Sequence, residues 1–253
     1  MSSPLTYLIT GANRGIGLGL TSTLLQRPNT TIIAAVRDIL RSTPTLTSLP
    51  KGPNSKLILI KLDASSDTDP TTAIAELQSK HSITSLDIVI ANAGISQSGS
   101  TILNTTPDNF RTHVNVNTIG PILLFQAVAP LLRASPSGNP IFLAISTAIA
   151  SMAMQEHLSF LPPKFSPYGA SKAALNWAVR RIHIEEPWVT AYVTHPGLVL
   201  TDMAADMDPD TDFESLGAIT VEESVGGMVR TLDGAGRGIG GTFQNYDGGV
   251  LPW

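Results

Sequence analysis

Short apolar runs separated by longer stretches of helical character recur along the whole chain. Leu5 to Thr10, Thr31 to Val36, Lys56 to Leu62, Leu86 to Ala91, Ile141 to Ile145 and Val189 to Thr194 each read as a strand, with Thr242 to Asn245 as a short last one. Leu18 to Leu25, Pro70 to His81, Pro107 to Leu132, Pro167 to Ile184 and Val221 to Leu232 read as helices. The last is announced by Thr220 with Glu223 three residues on, a capping-box pattern. Turn-rich breaks such as Pro28-Asn29-Thr30 and Lys51-Gly52-Pro53-Asn54 fall between elements. Strands alternating with helices predict an α/β fold: a doubly wound parallel sheet of about seven strands, helices on both faces.

Composition narrows the picture. A length of 253 residues suits a single domain, 1–253, of this architecture. Hydrophobic residues at 42% and charged residues at 14% allow a large core and exclude general disorder. A net charge of −4 leaves no basic footprint for nucleic acid. The absence of cysteine excludes disulfides and thiolate metal sites, and the five histidines show no ligand spacing, so no metal is expected. Met1-Ser2-Ser3-Pro4 carries no leader-like charge or apolar core, and no apolar run reaches the ~18 residues that span a bilayer. The expectation is a soluble cytoplasmic protein with neither membrane nor nucleic-acid partners.

Chemistry gathers at the strand ends, where a doubly wound sheet binds its ligand. The first strand runs into Gly11-Ala12-Asn13-Arg14-Gly15-Ile16-Gly17 and then a helix, the makings of a phosphate cradle. Its G-x-x-x-G-x-G spacing differs from the G-x-G-x-x-G dinucleotide fingerprint. Arg37 follows the second strand, where a carboxylate would suit a ribose hydroxyl and an arginine a 2′-phosphate. With Arg14 as a second cation this favours NADP(H), although Asp38 stands beside it. Asp63 follows the third strand, Asn92-Ala93-Gly94 the fourth, Ser146-Thr147 the fifth and His195-Pro196-Gly197 the sixth. Tyr168 and Lys172 sit four residues apart in Y-G-A-S-K, on one face of a helix. An ammonium beside a phenol lowers its pKa towards the range useful for proton transfer.

Together the glycine turn, N-A-G and Y-x-x-x-K resemble the short-chain dehydrogenase/reductase family over the whole chain. The resemblance implies a Rossmann-type fold. Tyr168 would be the proton donor, Lys172 the holder of the nicotinamide ribose, and Asn117 a helix-bending residue that holds a water linked to Lys172. Asn115 is a rival for that last position. Asp63 would meet the adenine, or is a turn residue; Pro196, Gly197, Val199 and Thr201 would bracket the carboxamide; His195 reads as structural. The family's carbonyl-binding serine is a departure here, because Ser146 and Thr147 both compete for it and only one can face the cofactor in extended backbone. Ser151 is a more distant third option.

The interval up to Tyr168 is long, so 151–166, with Met152, Met154, Phe160, Leu161 and Phe165, reads as an apolar substrate lid or as a longer surface loop. A second loop at 202–217 contains Met203 and Met207. L-L-Q-R-P at Leu24 to Pro28, P-I-L-L-F-Q-A at Pro121 to Ala127 and Leu251-Pro252-Trp253 are similar to a fungal branch around the norsolorinic acid ketoreductases of aromatic polyketide biosynthesis. The implied activity is NADPH-dependent reduction of a ketone by a homodimer or homotetramer. The alternatives are a cofactor-binding protein without redox turnover and an alcohol dehydrogenase working oxidatively.

Overall fold

All seven expected strands form, and an eighth joins them. They are β1 (Leu5–Thr10), β2 (Thr30–Val36), β3 (Lys56–Lys61), β4 (Ile88–Ala91), β5 (Ile141–Ile145), β6 (Thr190–His195), β7 (Phe243–Asn245) and β8 (Val250–Leu251). This computed structural model describes residues 4–97, 99–161, 164–203 and 214–253. Met207 and most of the expected 202–217 loop therefore lie outside the described residues. The sheet order is β3-β2-β1-β4-β5-β6-β7-β8. All neighbours are parallel except β7 and β8, which form an antiparallel hairpin with Phe243 opposite Leu251. The sheet is thus not wholly parallel, and two-residue β8 is too short for periodicity to reveal. Strand order reverses at β1, which pairs with both β2 and β4. The crevice above that reversal is where such folds bind ligands.

The helices are α1 (Gly15–Leu25), α2 (Ile39–Thr47), α3 (Asp69–His81), α4 (Pro107–Val114), α5 (Gly120–Arg133), α6 (Ser166–Glu185) and α7 (Val221–Asp233). The unexpected α2 is obscured in sequence by Pro44 and its Ser/Thr run. It forms because Asp38 caps it and Ser42 and Leu46 are buried. Apolar side chains fill both sides of the sheet. Leu20, Leu24, Leu46, Val225 and Met228 pack one face, and Leu77, Leu124, Val128, Leu175 and Val179 the other. Each such burial is worth about 1.5–3 kcal/mol.

The stretch from Pro107 to Arg133 is not one regular helix. A π turn, Asn115–Ile119, separates α4 from α5 and gives the bend expected at Asn117. Contrary to the sequence expectation, this stretch is long and apolar enough to cross a bilayer, with mean hydropathy 1.4 over its best window. Half of that window is buried, and Leu124, Phe125, Val128, Leu131 and Leu132 form core there. Core packing accounts for its apolarity.

Candidate active site

The glycine turn closes against the neighbouring strand end. Gly11 and Gly15 have φ of +64° and +49°, which side chains rarely adopt. A Cβ on Gly17 would lie 2.1 Å from the Gly11 carbonyl oxygen and 2.5 Å from Asn92 Nδ2, so only glycine lets α1 start this close to the turn. Arg14 supplies no side-chain cap to α1, leaving its first amides and the positive end of the helix dipole available to an anion. Asn13 and Ile16 are half-buried in the same turn. Thr201 Cγ2 would lie 3.4 Å from a Cβ on Gly15, so the segment after β6 borders the cradle.

Asn92 and Ala93 lock β4 to β1. Both main-chain amides donate to Thr10 Oγ1 at 3.0 Å, and Asn92 Nδ2 donates to the Thr10 carbonyl at 2.9 Å. Arg37 is exposed after β2, and exposed Arg14 lies 3.9 Å from Asp202. Asp38 Oδ1 accepts the Arg41 amide at 3.0 Å as the α2 cap. Asp63 Oδ1 accepts from the Ser65 amide and hydroxyl, a turn role that leaves its carboxylate at the carboxyl end of β3. Pro196 and Val199 are buried and Gly197 half-buried beyond β6. His195 is held neutral, its pKa pushed down to about 4 by burial, and its Nδ1 has no partner among the described residues.

The two hydroxyls after β5 part ways. Ser146 Oγ turns to α6 and donates to Asn176 Oδ1 at 2.5 Å. Thr147, extended at φ −158° and ψ 146°, has its hydroxyl beside that of Tyr168, close enough to lower the phenol's pKa, and caps the next turn by accepting from the Ile149 amide. Alternation of side chains in extended backbone makes the choice. Ser151 is spent elsewhere, its Oγ donating to the Pro252 carbonyl at 2.8 Å.

Tyr168 and Lys172 share a buried face of α6, as their spacing requires. The electrostatics differ from expectation. Burial pushes the Tyr168 phenol up to about 12, and the group that pulls it back is the Thr147 hydroxyl. The Lys172 Nζ donates to the Ile145 carbonyl at 2.7 Å. Burial brings Lys172 itself down to about 8. Asn117 is fully buried within the π turn. Its Oδ1 accepts from the Ile95 amide, and its Nδ2 donates to the Ile95 carbonyl and Ser171 Oγ. A Cβ on Gly94 would sit 3.0 Å from Asn117 Oδ1 and 3.4 Å from Lys172 Nζ, so both approach the same glycine. Asn115 points elsewhere, to the Ser65 carbonyl.

Sequence reasoning missed Thr10, Ser171 and Asn176, which hold the site together. Asn176 is four residues beyond Lys172, and that helical spacing could have revealed it. The cradle that a Cβ at Gly17 would fill, beside a buried tyrosine-lysine pair, fits a nicotinamide dinucleotide, and fold and site together define an oxidoreductase that uses one.

Comparison with known proteins agrees. The short chain dehydrogenase family model matches residues 6–212, and the chain belongs to the short-chain dehydrogenase/reductase family. It is 41% identical over 256 residues to short chain dehydrogenase gsfK of Penicillium aethiopicum, covering 99% of this chain and 100% of that one. It is 37% identical to norsolorinic acid ketoreductase nor1 of Dothistroma septosporum, covering 98% and 92%. The crystal structure of NADPH-bound carbonyl reductase from chicken fatty liver superposes with a TM-score of 0.86 at 30% identity, covering 100% of both chains.

Proposed function

We propose that the chain reduces a ketone of aromatic or polyketide type to a secondary alcohol, with NADPH as reductant. The observation that carries this reading is the buried Tyr168 phenol with the Thr147 hydroxyl beside it at the carboxyl edge of the sheet, close to the glycine cradle. When bound, the reduced nicotinamide supplies a hydride to the carbonyl carbon. Gly11, Asn13, Gly15, Ile16 and Gly17 would hold the pyrophosphate, and Asp63, Asn92, Ala93 and Gly94 would line the adenosine side. Pro196, Gly197, Val199 and Thr201 would flank the nicotinamide. Arg14 and Arg37 would hold a 2′-phosphate, with Asp38 engaged as the α2 cap.

Tyr168 is protonated at neutral pH because burial raises its pKa to about 12, so it has a proton to give to the carbonyl oxygen in the reductive direction. Thr147 orients the phenol and the carbonyl oxygen, and Lys172 would hold the ribose. Three relatives are named norsolorinic acid ketoreductase at 35–37% identity, which supports the substrate class. The Thr147–Tyr168 pair also counts against a redox-silent cofactor binder, whose support in sequence was the ambiguous serine. Tyr168→Phe tests the reading. It should leave the Kd for NADPH within twofold and lower kcat by about 10³-fold. Near-normal ketone reduction by that variant would refute the mechanism.

A further inference from the structure

The Leu251-Pro252-Trp253 segment is absorbed by none of the chemistry above, yet it is tied to the active-site side of the molecule. Beyond β8, Trp253 stacks on Phe243 of β7 at 5.6 Å between ring centroids. The Arg180 guanidinium of α6 covers it at 5.1 Å. These contacts give 252–253 a rigid seat between the sheet edge and the helix that carries Tyr168 and Lys172.

From that seat the main chain grips the start of the 151–161 segment. The Pro252 carbonyl accepts from Ser151 Oγ at 2.8 Å, and the Trp253 main-chain oxygen accepts from the Ala153 amide at 2.9 Å. Ser151 is fully buried, and its Oγ also accepts from the Met154 amide. Gln155 Nε2 donates to the Ile149 and Ser151 carbonyls. Ile149 in turn sits against Gly169, where a Cβ would be 3.1 Å from its Cγ2, next to Tyr168. An unbroken set of contacts therefore runs from Trp253 to the Thr147–Tyr168 pair. Within the grip the segment exposes Met152 at 75%, and beyond it Phe160 at 64%. At its far end the chain is fastened again, the Ser166 amide donating to the Ser100 carbonyl.

We propose that Pro252 and Trp253 are positioning residues for substrate specificity. They anchor the apolar 151–161 segment at a set distance from Tyr168, so that it walls the site for a bulky ketone. The inference rests on the ketoreductase reading and deepens it. A large planar ketone needs an apolar surface in a defined place, whereas a small one needs only the carbonyl contacts.

The test compares Trp253→Ala, Trp253→Phe, Ser151→Ala and the Ser151→Ala/Trp253→Ala double variant, using NADPH with 2-acetylnaphthalene and with ethyl acetoacetate. Trp253→Ala and Ser151→Ala should each raise the KM ratio of the bulky to the small ketone about tenfold, the ordering that one buried hydrogen bond provides. The double variant should do no worse than Trp253→Ala, and Trp253→Phe, which keeps the stack, should restore the ratio. The Kd for NADPH should stay within twofold throughout. Loss of the same size on both ketones, or an unchanged ratio, overturns the inference while the ketoreductase reading stands. A wild-type protein that binds NADPH and reduces neither ketone overturns that reading first, and the inference with it.

Discussion

Replacing Lys172 with methionine should make the cofactor-free protein more stable at neutral pH, and the sign should reverse in alkali. Lys172 is 4% exposed, and burial holds its pKa at about 8 against an ordinary 10.5. The gap, at about 1.4 kcal/mol per pH unit, is worth about 3 kcal/mol. Below pH 8 both folded and unfolded chains carry the charge, and the folded state bears that full penalty. Between pH 8 and 10.5 the unfolded chain binds the extra proton, so wild-type stability rises with pH and the penalty is gone above 10.5. Methionine removes the penalty but also the Nζ hydrogen bond to Ile145, a loss of about 1 kcal/mol at any pH. The variant should therefore be about 2 kcal/mol more stable at pH 7 and about 1 kcal/mol less stable near pH 10.5. Urea unfolding followed by the fluorescence of Trp177, Trp188 and Trp253 measures both. Other titrating groups are common to the two proteins and cancel in the difference. Parallel stability–pH curves would refute the claim that Lys172 is buried at a cost and kept for function.

Four further outcomes follow from the site. Thr147→Ala should lower kcat by about 10²-fold, with Thr147→Ser restoring most of it. Ser146→Ala should keep kcat within a few-fold yet lose about 1–2 kcal/mol of stability, because buried Asn176 loses its donor; the opposite pattern would move the carbonyl contact to Ser146. Arg37→Ala should weaken NADPH about tenfold in calorimetric titration and leave NADH unchanged, as one charge-assisted bond predicts, and equal weakening of both would remove Arg37 from the 2′-phosphate. Gly17→Ala should bring NADPH binding below detection, since the added Cβ would meet the Gly11 carbonyl oxygen at 2.1 Å; wild-type affinity would mean the turn is not the cradle.

The apolar runs and their spacing were enough for the architecture. Seven strands, five helices, the glycine turn and the shared face of Tyr168 and Lys172 all follow from local periodicity, because a strand or helix imposes it on every residue it contains. What local pattern could not carry was α2, hidden by Pro44, and β8, which is two residues long. The same holds for the choice between Ser146 and Thr147. Both are small hydroxyls at a strand end, and their roles separate only once α6 brings Asn176 to Ser146 and Tyr168 to Thr147, 30 and 21 positions away in the chain. The charge state of the pair is likewise a tertiary property. Spacing puts Lys172 beside Tyr168, but the low-dielectric surroundings decide that burial, not the ammonium, governs the phenol. Sequence determined which residues could do the chemistry; the packing around them decided which hydroxyl faces the phenol and where each proton is held.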